Sequence, residues 1–141
     1  MRLFLDSTVV LAACGRPSGA SRAVFDLARR NGWKLLTSPY VLGEVARNLP
    51  KLRPQALTDW TALSPNLIVT RDVWTMDRPV VFEPAKDRPV LFTAAAWATN
   101  LLTLDAADFG KLTRTGFYHL AVTSPAAFLA RERAAGRLSS L

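Results

Sequence analysis

The chain has 141 residues, half of them apolar, which suits one domain with its own core and excludes a chain disordered throughout. Eighteen Lys and Arg against eleven Asp and Glu give a net charge of +7, a balance that attracts polyanions, nucleic acid foremost, though a merely basic protein or one paired with an acidic partner has the same balance. The single cysteine, Cys14, excludes an internal disulfide, argues against a cysteine-based zinc site and reads as a buried, inert thiol.

The opening MRLFLDSTVVLAACG has the outline of a secretion signal, but Asp6 and Ser7 interrupt its apolar part, where a signal avoids charge. No apolar run approaches the ~20 residues of a membrane span, so a cytoplasmic protein with no membrane partner is expected. Arg2 to Leu5 suits a short buried parallel strand. Asp6-Ser7-Thr8 can cap the helix Val9 to Cys14, which ends at Gly15. A second helix follows, capped by Ser18 or Ser21 and stopped at Asn31-Gly32, with Ala20, Val24, Leu27 and Ala28 on its apolar side. Trp33 to Thr37 reads as a strand, and Ser38-Pro39 opens a helix over Tyr40 to Asn48 that carries Glu44. Pro54 to Leu63 is a helix with Leu57, Trp60 and Leu63 inward, and Asn66 to Thr70 is a third strand.

Arg71 to Lys86 is the least regular stretch, with an extended piece expected at Val80 to Phe82. Asp87 stands at the mouth of an apolar helix reaching Thr99. A strand from Asn100 to Leu104 ends on Asp105, and a short helix, Ala106 to Lys111, carries Asp108. Tyr118 to Val122 reads as a fifth strand, and Ser124-Pro125 opens a last helix to Ala134. Residues 136–141 read as a disordered tail. Strands separated by helices make an α/β domain over residues 1–141, with a parallel sheet.

Open parallel sheets take ligands beyond the C-terminal ends of their strands. Asp6 and Asp105 both end strands and so share that rim; the residues alone do not place Asp87 with them. Several carboxylates in one cleft raise each other's pKa unless a cation sits among them. Oxygen-only ligands suit Mg²⁺ or Mn²⁺, and such an ion beside a basic surface suits phosphodiester hydrolysis. Each acid has a plainer alternative: Asp6, Asp105 and Asp108 as helix caps, Asp87 as a favourable N-terminal charge, Glu44 as a solvated helix acid. Asp26, Asp59, Asp72, Asp77 and Glu83 read as surface acids. His119, the one histidine, falls at the start of the fifth strand, where no nucleophile-elbow pattern accompanies it. Trp74, in the irregular stretch, is the tryptophan best placed for a contact.

The segments LFLDSTVVLAAC, SPYVLGEV and KDRPVLFTAAAWATNLLTLDAADF together resemble the PIN domain, a family of metal-dependent nucleases that includes VapC-type toxins. The resemblance spans about residues 2 to 125. It implies a three-layer α/β/α fold around a parallel sheet of about five strands in the order 3-2-1-4-5. It also implies that the helix begun by Asp87 starts beside the cleft. Site roles follow for Asp6, Glu44, Asp87, Asp105 and Asp108. Asp6 and Asp87 would ligate Mg²⁺ or Mn²⁺ directly, Asp105 or Asp108 would join as the fourth acid, and Glu44 would ligate through water or help to orient it. Ser7 and Thr103 would hydrogen-bond carboxylates or metal waters. The implied function is a ribonuclease, the toxin of a type II toxin–antitoxin pair, with RNA as substrate, a small antitoxin as partner and a homodimeric state. Two rivals stand beside it: a PIN-like RNA- or protein-binding module without turnover, and an unrelated α/β hydrolase with one catalytic Asp.

Overall fold

The first strand, β1 (Arg2–Leu5), runs through the middle of the sheet, and its sequence explains why. Leu3, Phe4 and Leu5 are wholly buried, the continuous apolar run a strand needs when helices cover both faces. The computed structural model describes residues 1–140. Beside β1 lie β2 (Lys34–Thr37) and β4 (Asn100–Leu102), flanked in turn by β3 (Leu67–Val69) and β5 (Ala121–Thr123). Every pairing is parallel and the order is β3-β2-β1-β4-β5, the order expected. Register sets Leu5 beside Leu102, so the chain leaves both strands at the same level.

From β1 the chain steps outward to β2 and β3, then crosses back to β4 and β5. Parallel crossovers are right-handed, so this reversal sends the connections to opposite faces and gives helix–sheet–helix layers. The crevice at the reversal opens between the ends of β1 and β4, where such sheets receive ligands.

Eight α-helices cover the sheet among the described residues: α1 (Ser7–Gly15), α2 (Ala20–Asn31), α3 (Pro39–Asn48), α4 (Gln55–Leu63), α5 (Arg88–Trp97), α6 (Ala106–Phe109), α7 (Leu112–Thr115) and α8 (Pro125–Ala134). Gly32 closes α2 at φ 67°, the left-handed cap that glycine adopts without penalty. Ser124 opens α8 by accepting the Ala127 amide at 3.1 Å. Helix α5 is buried from Pro89 to Ala95 and packs on β1 and β4. No helix among the described residues is long and apolar enough to cross a membrane. Cys14 is buried, and burial, then the charge of Asp59, push its thiol up to about 11, so it is inert.

The structure corrects several local expectations. Helix α1 begins directly after Asp6, earlier than the apolar spacing suggests, because Asp6 itself is the N-cap. Gly19, with no side-chain cap, precedes α2 in place of Ser18 or Ser21. Leu57 points outward, and Ala56 takes the buried place on α4. No strand forms at Val80 to Phe82; Phe82 is instead buried by stacking on Phe109, with ring centroids 5.3 Å apart. Tyr118 to Leu120 is not strand β5 but a turn, with Tyr118 at φ 56° and a Phe117–Leu120 bridge. His119 therefore lies in an exposed turn. In the tail, Arg137 pairs with buried Glu132, and the Ser139 amide donates to Asn31 Oδ1 at 2.7 Å. The Ser140 carbonyl accepts from Arg30 at 2.9 Å, so residues 137–140 of the segment expected to be disordered are tied to α2 and α8; Leu141 lies outside the described residues.

Candidate metal centre

Asp6 is the first residue beyond β1, and its amide donates to Leu102 O across the strand ends at 3.0 Å. Its carboxylate is buried and fully dressed. Oδ1 accepts the Ser7 amide at 2.8 Å; Oδ2 accepts Thr103 Oγ1 at 2.8 Å and Thr8 Oγ1 at 3.0 Å. The two threonines reach further. Thr8 Oγ1 accepts the Leu104 amide, and Thr103 Oγ1 accepts the Asp105 amide, each at 3.0 Å. They thus stitch the end of β1 to the loop after β4. Burial pushes the Asp6 carboxyl up, the hydrogen bonds from Thr103, Thr8 and Ser7 pull it back, and the charge of Asp105 adds to the rise.

Asp105 caps α6, its Oδ1 accepting the Asp108 amide at 3.0 Å. That bond places the Asp108 carboxylate beside Asp87. Carboxylate oxygens of Asp87, Asp105 and Asp108 lie within 4.8 Å of one another. Asp87 ends a 3₁₀ turn, Ala85–Asp87, directly before α5. Its rim follows from ordinary β-α-β geometry: a helix returning from β3 to β4 runs antiparallel to the strands, so it starts at their C-terminal edge. This is the step that sequence spacing leaves open.

Asp87 is 7% exposed, and its Oδ2 has no hydrogen-bond partner. Its carboxyl is pushed up to about 8, first by burial, then by its hydrogen bond to Asp108 and by the charges of Asp108 and Asp6. Asp108 moves the opposite way, held low by that same hydrogen bond and by Lys86, whose Nζ lies 3.5 Å from its Oδ2. Of the two, Asp87 is the carboxyl driven toward its protonated form, and Asp108 is the one held ionised.

Glu44, on α3, brings a second unpartnered buried oxygen, Oε1. Burial raises its carboxyl, and so does the charge of Asp6; Arg47 and Lys86 oppose the rise, and Asp105 adds to it. Thr37 and Ser38, where β2 hands over to α3, also hold buried hydroxyl oxygens without partners. Orphaned buried oxygens concentrated at one rim indicate groups built to face water or an ion.

All five sequence-derived acids therefore stand at one rim, though not in one shell. Asp87, Asp105 and Asp108 form the close set; Asp6 and Glu44 lie outside it but within reach of its charges. Asp105 and Asp108, which compete for one role in the sequence, both belong to the close set. Ser7 contributes its amide, not its hydroxyl. The hydroxyl that holds Asp6 beside Thr103 is that of Thr8, two residues on and in the first turn of α1. The donor set is all carboxylate, crowded and partly unsatisfied, and it fits a hard divalent cation of the Mg²⁺ or Mn²⁺ kind.

Three further residues are absent from the sequence-derived site. Lys86 pairs with Asp108. Tyr40, on α3, donates its hydroxyl to the Lys86 carbonyl. Asp72 accepts the Tyr40 amide at 3.1 and 3.3 Å and so caps α3, where a surface acid was expected. A signal for Asp72 exists: like Asp105, it stands three residues beyond the end of a strand.

No protein-family model matches the chain, and no curated sequence is significantly similar to it. Among solved structures, it resembles a chain in the crystal structure of VapBC2 from Rickettsia felis bound to a DNA fragment from its promoter. The TM-score is 0.59 at 15% identity, over 86% of this chain and 97% of that one. It also resembles Mycobacterium tuberculosis VapC20, described as a sarcin-ricin loop cleaving toxin, with a TM-score of 0.46 at 19% identity over 82% and 95% of the two chains. At these identities the likeness is one of fold, and the fold is the PIN-like one that the sequence resemblance implies.

Proposed function

We propose that this PIN-fold chain is a Mg²⁺- or Mn²⁺-dependent ribonuclease, the cytoplasmic toxin of a type II toxin–antitoxin pair, active as a homodimer and restrained by a small antitoxin. The observation that carries the nuclease reading is the close set Asp87, Asp105 and Asp108 at the sheet's switch point, with Asp87 Oδ2 and Glu44 Oε1 buried and unpartnered beside it. The net charge of +7 suits a polyanionic substrate. The antitoxin rests on analogy with the VapBC2 complex.

Asp87, Asp105 and Asp108 would hold the cation, with Asp6 and Glu44 behind them. A divalent cation held there would supply a water of lowered pKa and polarisation of a phosphoryl oxygen. Asp6, fixed by two threonine hydroxyls and one amide, keeps the cleft negative and rigid. Glu44 Oε1 offers a free acceptor that orients water toward the phosphate. Lys86, exposed at the mouth, neutralises Asp108 and can steer a phosphate inward.

The test is purified protein with Mn²⁺ and a mixture of RNAs. Cleavage is expected, lost with EDTA and lost in Asp6→Asn and Asp87→Asn variants that still fold. Intact RNA, together with no heat of Mn²⁺ binding by calorimetry, would end this reading.

A further inference from the structure

Trp74 is 59% exposed, unusual for a tryptophan whose surroundings are this well fixed. On its N-terminal side the Arg71 carbonyl accepts Trp97 Nε1 at 3.0 Å, and the Val73 amide donates to Thr93 Oγ1 at 2.8 Å. The indole stands edge-to-face with Tyr40, centroids 5.5 Å apart and planes at 89°. Tyr40 is fixed in turn: Asp72 holds its amide, and its hydroxyl donates to the carbonyl of Lys86, the residue before Asp87. A chain of contacts therefore runs from the Trp74 ring through Tyr40 to the backbone that carries an acid of the close set.

An exposed aromatic face held rigidly costs little entropy to use, and every nucleobase offers a face to stack on it. A paired base has its faces covered by its neighbours in the duplex, so such a platform selects unpaired nucleotides. The surroundings suit RNA better than an apolar protein surface. Around Tyr40 stand the acids Glu44 and Asp87 and the bases Arg47 and Lys86, and Arg71 lies three residues before Trp74. We propose that Trp74, braced edge-on by Tyr40, is a stacking platform for an unpaired base of single-stranded RNA, flanking the phosphate received by the acid cleft. The proposal rests on the nuclease reading and makes Trp74 a specificity-determining residue within it.

The experiment measures binding apart from cleavage. A fluorescent single-stranded RNA and the same strand in a duplex are titrated by anisotropy in an Asp6→Asn background with Mn²⁺, with and without Trp74→Ala or Trp74→Phe. Cleavage kinetics are followed in the otherwise native protein. Trp74→Ala is expected to weaken single-strand binding roughly 5- to 100-fold and to raise KM more than it lowers kcat. Trp74→Phe keeps most of the affinity, and the duplex binds more weakly than the single strand. An unchanged melting temperature and Mn²⁺ stabilisation show that Trp74→Ala still folds and still holds the cation. Trp74-dependent binding of RNA that the native protein never cleaves supports the platform and sinks the nuclease reading. Equal single-strand binding by Trp74→Ala, with native cleavage intact, overturns the platform alone. The platform also falls if Trp74→Ala spares RNA but dissolves a complex with a co-expressed antitoxin, which assigns the indole to a protein partner. A native protein that neither binds nor cleaves single-stranded RNA overturns both.

Discussion

Replacing Asp87 with Asn should make the metal-free protein more stable at alkaline pH and remove its response to metal. A carboxyl moved from 3.8 to about 8 corresponds to a ceiling of about 5–6 kcal/mol, at ~1.4 kcal/mol per pH unit. Two features lower it: the shift is coupled to Asp108, and Lys86 and Asp108 beside it reach solvent, so about 2–3 kcal/mol is the working value. The folded pKa lies above the unfolded one, so the folded state binds the extra proton. Stability is therefore highest below the unfolded value and falls as pH rises from about 4 toward 8. Asp6 and Glu44 are also raised and act in the same direction. Asp108 is lowered, so its contribution changes only below the usual carboxylate range and leaves this window alone.

Thermal unfolding in EDTA, followed by circular dichroism between about pH 4 and pH 8, reads this out. At roughly 3 °C per kcal/mol for a chain of this size, the native protein should lose about 6–9 °C across the window from this source. Mn²⁺ at a hundredfold excess over its Kd should return about 2.7 kcal/mol. Asp87→Asn should flatten the slope by the Asp87 share and respond little to Mn²⁺. If Asp87→Asn shows the native slope and the native Mn²⁺ stabilisation, Asp87 is neither the group that holds the proton nor a ligand.

Thr103→Val removes a 2.8 Å hydrogen bond to the Asp6 carboxylate, so Asp6 should titrate at higher pH by NMR, and RNA cleavage should fall about tenfold or more, the range for a hydrogen bond to a charged group. Phe82→Ala deletes the ring stacked on Phe109 and should cost about 3 kcal/mol in urea unfolding, with new protease cleavage confined to residues 70–84. Arg137→Ala leaves the buried Glu132 carboxylate without its cation, so the same unfolding curve should shift to lower urea.

What the sequence made legible follows a physical division. β1 and β4 are readable because a strand covered on both faces must be apolar at successive residues, and Leu3–Leu5 and Leu101–Leu102 are. Asp6 is readable because it stops the first run at the ligand-binding rim; Asp105 lies three residues past the end of β4, which is shorter than the strand expected to reach Leu104. Glu44 sits on a helix and Asp87 just before one, where position along the chain says little about rim; the PIN resemblance supplied both, and crossover geometry explains Asp87. Tyr118 was illegible for another reason. Its neighbours have strand propensity, but its hydroxyl donates to the Pro79 carbonyl and Arg78 lies 5.2 Å over its ring. Partners about forty residues away hold it at φ 56°, and no local pattern encodes them. Thr8 and Lys86 belong to the same class, since their roles exist only once β1 lies against β4 and α6 against Asp87.

The two halves of the cleft differ in what holds them. Asp6, Thr8, Thr103 and Asp105 hang from the ends of two central strands, and each carboxylate or hydroxyl among them has a hydrogen-bond partner. Asp87 instead follows a segment, residues 70–84, that contributes no helix or strand and is held by contacts from other elements: Tyr40 on Asp72, Thr93 on Val73, Trp97 on Arg71 and Phe109 on Phe82. The unpartnered carboxylate oxygens are those of Asp87 and of Glu44 on α3. Without a cation, this side keeps a buried acid only by protonating it. Positive charge among the three close carboxylates would release that proton and supply the missing partner in one event. The cleft is thus a hydrogen-bonded anionic wall facing an acid with an unpartnered oxygen, and the cation's stabilisation should appear mainly at Asp87 and the segment leading to it, not in the strands that carry Asp6.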